Sequence, residues 1–345
     1  MDVAELDYDL PPHLIAQTPA EARDSARLLV VERSGDGLAD RTFADLPGLL
    51  RPGDCLVVND SRVIPARVMA QTVEGGAPVE LLFVEPAEGG RWRSLVKPGR
   101  RCRPGAVLHV GGESGVRLRV IGVEADGTRL VERIGDGTLE ALMDAHGVPP
   151  LPPYIARHAK PGPEDGERYQ TVYARVPGSI AAPTAGLHFT PALIERLRAR
   201  GIEVHALTLH VGPATFRPMK HAVVEAHVLP PERAVVEPAT ARAVSAAKAA
   251  GRRVIAVGTT VTRTLESAAA GDGVRAMEGA ADVFITPGHR FRIVDGLVTN
   301  FHLPRTTLLV LAAAFAGRER LLAAYAHAVR AGYRFYSNGD AMLIL

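Results

Sequence analysis

The pattern of apolar and polar positions divides the chain into two parts with different textures. Between about Pro65 and Gly135 the apolar residues fall in short runs separated by glycine-rich turns, with no convincing helix between them. These runs are "ARVMAQTV", "APVELLFVEP", "RWRSLVKP", "GAVLHVGG", "GVRLRVIGVEA" and "TRLVERIG". Closely spaced runs of this kind predict a small antiparallel β-barrel or sandwich. "TLEALMDAHG" then predicts a helix, and the proline-rich "VPPLPPYI" indicates a domain edge.

The rest of the chain alternates predicted strands with predicted helices. One helix begins after Thr190, a good N-cap followed by Pro191, and runs to Gly201. The other predicted helices are "PATARAVSAAKAAG", "GTTVTRTLESAAA", "PRTTLLVLAAAFAG" and "RERLLAAYAHAVRAG". The predicted strands are "ARLLVVE", "DCLVVND", "IEVHALTLHV", "RVIAV", "DVFIT" and "AMLIL". "RFRIV-DG-LVTNF" predicts a hairpin, because Asp-Gly between apolar runs is a strong two-residue turn signal.

This alternation predicts an α/β fold with a mixed, largely parallel sheet and helices on both faces. We expect residues 1–64 and 151–345 to form one discontinuous α/β domain. Residues 65–150 would be a small antiparallel β-barrel domain inserted into it.

Composition and charge exclude several classes of protein. The formal net charge is only +2, so no overall field indicates a nucleic-acid partner. Cys55 and Cys102 are too few for a disulfide framework or for a structural zinc site of their own. The start of the chain is acidic where a signal peptide is basic, and the longest apolar run, 308–316, is about half a membrane span. These features predict a cytoplasmic, soluble protein that is not associated with a membrane.

Polar residues follow several of the predicted strands, where ligands of open α/β sheets bind. The five segments concerned are "NDSR", "HVGPATFR", "GTTVTR", "TPGH" and "NFHLPR". Each segment alone is ordinary turn chemistry, but five together favour a shared polar crevice. "GTTVTRT" begins a helix whose free N–H groups would favour an anion. It is not a Walker loop, and neither G-x-G-x-x-G nor G-x-S-x-G occurs in a suitable place.

The histidines have three possible roles: core packing, metal binding or catalysis. His205 and His210 are five positions apart on a predicted strand and so face opposite sides. No C-x-x-C is present to complete a zinc set, and we predict no metal site. His188 and His210 lie at chain reversals rich in glycine and threonine, which suits functional imidazoles. From the residues alone, the chain is an α/β enzyme with a polar crevice and an unknown substrate.

The same segments resemble one known family over nearly the whole chain and in the family's order. The matching stretches include "DYDLPPHLIAQTPAEARDSARLL", "PGDCLVVNDSRVIPAR", "GSIAAPTAGLHFT", "LTLHVGPATFRP", "IAVGTTVTRTLES", "GLVTNFHLPRTTLLVL" and "YRFYSNGDAMLI". They resemble the S-adenosylmethionine:tRNA ribosyltransferase-isomerase family of queuosine biosynthesis. The resemblance implies an α/β domain with an inserted β-barrel, in agreement with the pattern above.

The resemblance also implies a reaction. The family moves the ribosyl part of S-adenosylmethionine onto 7-aminomethyl-7-deazaguanine at the anticodon wobble position and isomerises it, giving epoxyqueuosine-tRNA, adenine and methionine. S-adenosylmethionine is then a consumed substrate, and no cofactor is expected. The expected partners are the modified tRNA and S-adenosylmethionine. No obligatory protein partner is evident, and we expect a monomer.

Residue type and loop position give hypotheses for the site. His188 and His210, with Asp60 next, are candidates for acid–base catalysis. Phe189 or Phe216 would steady the cationic sulfur. The methionine carboxylate would bind Gly258, Thr259, Thr260 or Arg263, while phosphate or carboxylate contacts would come from Arg62, Arg67, Arg217 and Arg305. The remaining predicted substrate-binding residues are Thr184, Gly186, Thr215, Asn300 and His302.

Two departures from the family pattern affect what is carried over. The family commonly shows His-x-Met-His-x-Glu after the "TFRP" segment, and here Leu229 and Pro230 replace the methionine and the second histidine. A role for that second histidine therefore does not apply to this chain. Pro213-Ala214 stands where Leu-Gly is usual, which stiffens the loop. Two alternatives also stay open: a non-catalytic tRNA-binding protein on the same scaffold, and an S-adenosylmethionine-dependent RNA methyltransferase.

Overall fold

The computed structural model describes residues 1–35, 37–111, 115–156, 158, 161–213, 219 and 221–345. Its strands are β1 (Arg27–Val31), β2 (Leu38–Thr42), β3 (Cys55–Asn59), β4 (Ser61–Val63), β5 (Arg67–Thr72), β6 (Pro78–Ala87), β7 (Arg91–Lys97), β8 (Val107–Val110), β9 (Val116–Val123), β10 (Arg129–Ile134), β11 (Gly147–Val148), β12 (Val176–Ser179), β13 (Glu203–Leu209), β14 (Glu232–Val236), β15 (Val254–Val257), β16 (Ala269–Ala270), β17 (Gly273–Val274), β18 (Met277–Ala281), β19 (Gly296–Asn300) and β20 (Ala341–Ile344). Its helices are α1 (Leu46–Leu49), α2 (Leu139–His146), α3 (Asp165–Arg168), α4 (Pro191–Ala199), α5 (Pro238–Ala249), α6 (Thr259–Ser267), α7 (Thr307–Ala316) and α8 (Arg318–Arg330).

The chain divides into two compact units. The first comprises residues 1–61, 170–176 and 182–345, and the second comprises 62–169 and 177–181. This division differs from the expected boundaries of 65–150 because later segments pack with the barrel. The guanidinium of Arg67 donates to the carbonyls of Leu151 and His158, Ile64 N–H donates to Ser179, and Ile180 joins the barrel core.

The first unit contains a mixed sheet, as predicted. Its strand order is β18-β14-β13-β3-β15-β19-β20-β1-β2. The pairs β13–β3, β3–β15 and β15–β19 are parallel, and so is the pair β20–β1. The remaining neighbours pair antiparallel. The parallel strands therefore form the centre of the sheet, and their carboxyl ends share one edge.

Helices cover both faces of this sheet. On one face Leu193 and Leu197 of α4 pack with Phe43 and Phe189 against alternate residues of the central strands. Helices α5 and α6 contact β13, β3 and β15 but lie outside that cluster, which places them on the opposite face. Helix α4 begins as predicted, because Thr190 Oγ1 accepts the N–H of Leu193 at 3.1 Å.

The second unit is the predicted barrel. Strands β5, β6, β7, β10, β9 and β8 pair antiparallel in that order, and β8 pairs again with β5 to close it. Closure leaves these strands without a free edge. Apolar side chains from every strand fill the interior, including Phe83 and Trp92.

Two predicted strands are wrong. The segment before Asp295 does not form the first strand of a hairpin, because the Glu266 carboxylate accepts the backbone N–H groups of 292, 293 and 294 at 3.1 Å each. "DVFIT" is likewise not a strand. Side chains bond its backbone, since Arg263 Nε donates to the Val283 carbonyl and Ser267 Oγ accepts the Val283 N–H.

Each helix in the described part of the chain is too short or too polar to span a lipid bilayer.

Candidate active site

The edge of the sheet where β13, β3, β15 and β19 end carries part of the predicted site. Parallel pairing brings these four carboxyl ends together. Asn59 ties two of them to the start of α6. Its Nδ2 donates to the Leu209 carbonyl at 3.0 Å and lies 3.4 Å from Thr260 Oγ1, while its Oδ1 accepts the Leu209 N–H at 3.0 Å. The chain ends are thus held in register at the place where a ligand would enter.

A cavity opens at this edge. About 390 Å³ of space lies within and in front of its wall, including the solvent at its mouth. Six of the predicted binding residues line it: Thr184, Gly258, Thr259, Thr260, Asn300 and His302. Ala182, Pro183, Ala185, Val211, Thr299 and Leu308 complete the wall. Threonine hydroxyls, an amide and an imidazole thus place polar groups on a wall that is otherwise apolar.

A neighbouring cavity shares Thr259, Thr260 and Leu308 with the first. The buried ion pair of Arg263 and Glu232 lies on its wall, with Nη1 to Oε2 at 2.5 Å. The other guanidinium nitrogens of Arg263 donate to the Val283 and Ala281 carbonyls. Arg263 is therefore engaged by three protein acceptors. The second oxygen of Glu232 accepts the Gly212 N–H at 2.8 Å and holds the loop that follows β13.

The start of α6 forms the boundary between the two cavities. Gly258 has φ +94°, a conformation that side chains disfavour. No side chain caps this helix, so the first N–H groups remain available to a ligand. A helix start of this kind favours a negatively charged group.

His188 ends the 3-10 helix Thr184–His188 and is buried. Its Nε2 lies 3.2 Å from Asn300 Nδ2, and its ring packs on Phe43 with ring centroids 4.9 Å apart. Burial, reinforced by the positive charge of Arg334, lowers the pKa of His188 to about 4. The imidazole is thus neutral at physiological pH. It stands behind Asn300 and is not part of the cavity wall.

His210 precedes Val211, which lines the cavity, and is half-buried. Burial and then the charge of Arg233 lower the pKa of His210, while Asp60 opposes them. Its Nδ1 is buried and has no hydrogen-bond partner among the described residues. His210 is therefore a neutral imidazole whose Nδ1 has no partner among the described residues, and, like His188, it is not part of the cavity wall.

Asp60 is buried and fully engaged. One carboxylate oxygen accepts from Thr208 Oγ1 at 2.6 Å, and the other accepts from Arg175 Nη2 at 2.9 Å. Backbone N–H groups of Arg175 and Val176 also donate to its carbonyl. The structure thus uses Asp60 to join β3, β13 and the segment 170–176.

Phe189 and Gly186 serve packing. The Phe189 ring is completely buried between Phe43 and Tyr173, with centroids 5.1 and 6.0 Å away, so it lies in the core and not on the cavity wall. A Cβ on Gly186 would lie 2.2 Å from Tyr173 Oη. The close approach at Gly186 is thus to Tyr173, where the sequence had suggested an approach to substrate.

His302 faces the first cavity and has its own partners. Its Nε2 lies 2.9 Å from Thr299 Oγ1, its backbone N–H donates to Tyr325 Oη at 2.8 Å, and its carbonyl accepts from Tyr8 Oη. Burial lowers the pKa of His302 to about 3. It therefore contributes a neutral imidazole to the wall.

Two of the other predicted arginines belong to the second unit, and a third, Arg305, does not line the cavity. Arg62 is exposed and Arg67 is buried, both in the second unit, and Arg67 bonds the carbonyls of that unit described above. Arg305 is exposed in the first unit, with φ +58°, and its Nε donates to Asp7 at 2.8 Å. Thr215, Phe216 and Arg217 lie outside the described residues.

The comparisons with known proteins agree in one family. The family model described as "Queuosine biosynthesis protein" matches residues 3–344. A protein of Moorella thermoacetica named S-adenosylmethionine:tRNA ribosyltransferase-isomerase is 54% identical over the whole of both chains. A protein of Thermus thermophilus with the same name is 53% identical over 98% of each. The crystal structure of an S-adenosylmethionine tRNA ribosyltransferase from Thermotoga maritima is 37% identical, with a TM-score of 0.56 over 99% of this chain and 100% of that one.

The chain belongs to the queuosine biosynthesis family. The family resemblance seen in the sequence is thereby confirmed, and so is its fold.

The departure from the family motif lies beside the second cavity. Leu229 lines that cavity together with Glu232 and Phe284. The retained His227 packs near Phe284, with ring centroids 6.1 Å apart, and near His221, 6.4 Å away. An aliphatic side chain at position 229 thus keeps the wall apolar next to the buried ion pair.

Residues that the sequence left out of the predicted site also shape it. Thr299 lines the cavity beside Asn300, and Tyr336 accepts from Asn300 Nδ2 through its carbonyl at 3.1 Å. Tyr336 has φ +76°, a left-handed conformation unusual for a tyrosine. Thr299 could have been found from its place beside a predicted site residue, whereas no sequence signal marks a backbone carbonyl.

Proposed function

We propose that this chain is an S-adenosylmethionine:tRNA ribosyltransferase-isomerase. It transfers the ribosyl part of S-adenosylmethionine to the aminomethyl group of 7-aminomethyl-7-deazaguanine in the tRNA anticodon and isomerises it. The products are epoxyqueuosine-tRNA, adenine and methionine. S-adenosylmethionine is consumed, and the proposal includes no further cofactor. The full-length match to relatives of that name carries the proposal.

The reaction requires proton transfer at two places. The positively charged sulfur makes the adjacent C5′ protons removable, so a base must take one of them, and adenine leaves more readily when an acid protonates it. A neutral imidazole suits the base step, and the imidazolium formed when it takes the C5′ proton can then donate a proton to adenine. Of the three candidates, His210 supports the proton-transfer role best because its Nδ1 has no partner among the described residues. Asp60 is held by Thr208 and Arg175, and His188 by Asn300.

The methionine carboxylate belongs at the start of α6 in this proposal. Thr259 and Thr260 lie on the wall of both cavities, and the first N–H groups of the helix are uncapped. Arg263 was the other candidate, but Glu232 and two backbone carbonyls occupy its guanidinium. The helix start is therefore the better anion site.

The tRNA would bind through its phosphates. Arg62 is exposed, and the "LVKPGR" turn after β7 supplies Lys97 and Arg100 in the same unit. Phosphate contacts make affinity fall with rising salt. Arg62→Ala should weaken tRNA binding and flatten its salt dependence, while leaving the binding of S-adenosylmethionine unchanged.

We further propose that the enzyme is a cytoplasmic monomer. Size-exclusion chromatography with light scattering tests the oligomeric state.

One assay separates the candidate functions. The chain is incubated with S-adenosylmethionine and a tRNA that carries 7-aminomethyl-7-deazaguanine, and the products are identified by mass spectrometry. Adenine, methionine and an epoxyqueuosine nucleoside in equal amounts support the proposal. S-adenosylhomocysteine would identify a methyltransferase, and tRNA binding without turnover would identify a binding protein. His210→Gln should lower turnover by ~10²–10⁴-fold, the usual contribution of general acid–base catalysis.

A further inference from the structure

The amide of Asn300 has one well-defined orientation. Its Nδ2 lies 3.1 Å from the Tyr336 carbonyl, which can only accept a hydrogen bond. The nitrogen must therefore face Tyr336, and it then also donates to His188 Nε2 at 3.2 Å. Both hydrogens of the amide are used inside the protein.

The same contact fixes the protonation of His188. Because Nε2 accepts from Asn300, the ring proton lies on Nδ1, which suits the hydrogen bond between His188 and the backbone of Arg23. The imidazole is neutral, and its basic nitrogen is already occupied. His188 thus orients Asn300 and has no lone pair left to take a proton from a substrate.

The carbonyl oxygen of Asn300 is the part of this arrangement that has no partner. Asn300 is 2% exposed, and its Oδ1 is buried with no hydrogen bond to any described residue. The residue lines the first cavity beside Thr299 and His302. A buried oxygen left unpaired is costly, so its place on a cavity wall indicates that a ligand supplies the donor.

Another wall of the same cavity carries donors that need an acceptor. Gly258, Thr259 and Thr260 begin a helix of nine residues that has no side-chain cap, and its N–H groups favour a carboxylate. An acceptor of N–H groups and a binding site for a carboxylate therefore lie in one cavity. An α-amino acid group, with its ammonium and its carboxylate on one carbon, matches this pair.

We propose that the first cavity binds the methionine end of S-adenosylmethionine, with the α-ammonium donating to Asn300 Oδ1 and the carboxylate at the start of α6. His188 is a positioning residue that holds the Asn300 oxygen toward the ligand. This inference rests on the proposed function, since it assigns part of that substrate.

The first experiment changes the ligand. S-adenosylmethionine and its analogue without the α-amino group are titrated by calorimetry into the full-length enzyme together with tRNA that lacks the aminomethyl group, so that no turnover occurs. The wild-type enzyme should bind the analogue on the order of 10- to 100-fold more weakly, because a buried acceptor is then left unpaired. Asn300→Ala should bind the two ligands within about threefold of each other, since the acceptor is gone.

The nucleoside half of S-adenosylmethionine also carries N–H and O–H donors, and adenosine tests whether Asn300 contacts them instead of the α-ammonium. Asn300→Ala should leave the affinity for adenosine within about twofold of the wild type, as the missing oxygen does not face the nucleoside. If adenosine loses affinity while the analogue without the amino group binds the wild type as well as S-adenosylmethionine does, Asn300 contacts the nucleoside and the proposal is wrong. The wild-type ligand comparison stands even if Asn300→Ala fails to fold.

The second experiment separates positioning from proton transfer at His188. Glutamine at this position places an amide oxygen near Nε2 and can accept from Asn300, but it cannot transfer protons at neutral pH. His188→Gln should therefore retain turnover within about tenfold of the wild type, and His188→Ala should bind the two ligands with nearly equal affinity. A loss of ~10²-fold or more in turnover for His188→Gln with normal binding would make His188 the proton-transfer group. In either case the wild-type products test the proposed function separately.

Discussion

The buried imidazoles of His188 and His302 should make the first unit sensitive to mild acid. Burial lowers the pKa of His188 to about 4 and that of His302 to about 3, against ~6.5 in an unfolded chain. Below pH ~6.5 the unfolded chain therefore takes up protons that the folded chain does not, and the free energy of unfolding falls. The loss grows by ~1.4 kcal/mol for each pH unit below pH ~6.5, so it reaches ~2 kcal/mol for each histidine at pH ~5. Above pH ~6.5 both are neutral in both states and contribute no pH dependence.

Denaturant titrations at pH ~5 and pH ~8 test this magnitude. Far-ultraviolet circular dichroism mainly follows the first unit, because that unit contains the five longest helices, α4 to α8. The second unit contributes the shorter helix α2. His188→Gln should lose ~2 kcal/mol less than the wild type between the two pH values, because its side chain does not titrate. The exposed His13→Gln is the matched control and should follow the wild type. An equal pH dependence in His188→Gln and the wild type would refute a neutral, buried His188.

Three further substitutions test contacts within the first unit by denaturant unfolding. Glu232→Ala leaves the Arg263 guanidinium buried without its carboxylate and should cost ~3–5 kcal/mol; a cost under ~1 kcal/mol would mean that the pair is solvated. Gly186→Ala places a Cβ 2.2 Å from Tyr173 Oη and should cost ~1–3 kcal/mol, part of which Tyr173→Phe should restore; an unchanged double variant would contradict this clash. Thr190→Ala removes the N-cap of α4 and should cost ~1 kcal/mol, whereas Thr190→Ser should cost much less.

Local signals in the sequence predicted elements that local interactions determine. Thr190 and Pro191 specify the start of α4 through a hydrogen bond three residues away, and the structure has it. Asp295-Gly296 gave an equally good local signal for a hairpin, yet Glu266 bonds the preceding backbone from a distant helix. A carboxylate that is remote in sequence and accepts three N–H groups outweighs a turn preference, and nothing near Asp295 reveals it.

The candidate site divides in the same way. Thr259, Thr260 and Asn300 lie at strand ends, and parallel pairing alone brings them to one cavity. The position of Arg263 one turn into α6 was equally visible, but its engagement by Glu232 was not, because Glu232 lies on a strand that the pattern did not predict. Strand order and burial decide which polar side chains face a ligand and which face one another.

The place of β20 in the sheet has a consequence for the order of folding. This strand lies between β19 and β1, yet it follows every other strand of the sheet along the chain. During synthesis the β1–β2 pair cannot join the other strands until β20 has emerged, although β1 and β2 come first. Pairings of such large sequence separation form slowly. The hairpin must therefore remain unaggregated beside a growing chain, and the exposed charged side chains of Asp40 and Arg41 on the edge strand β2 suit that requirement.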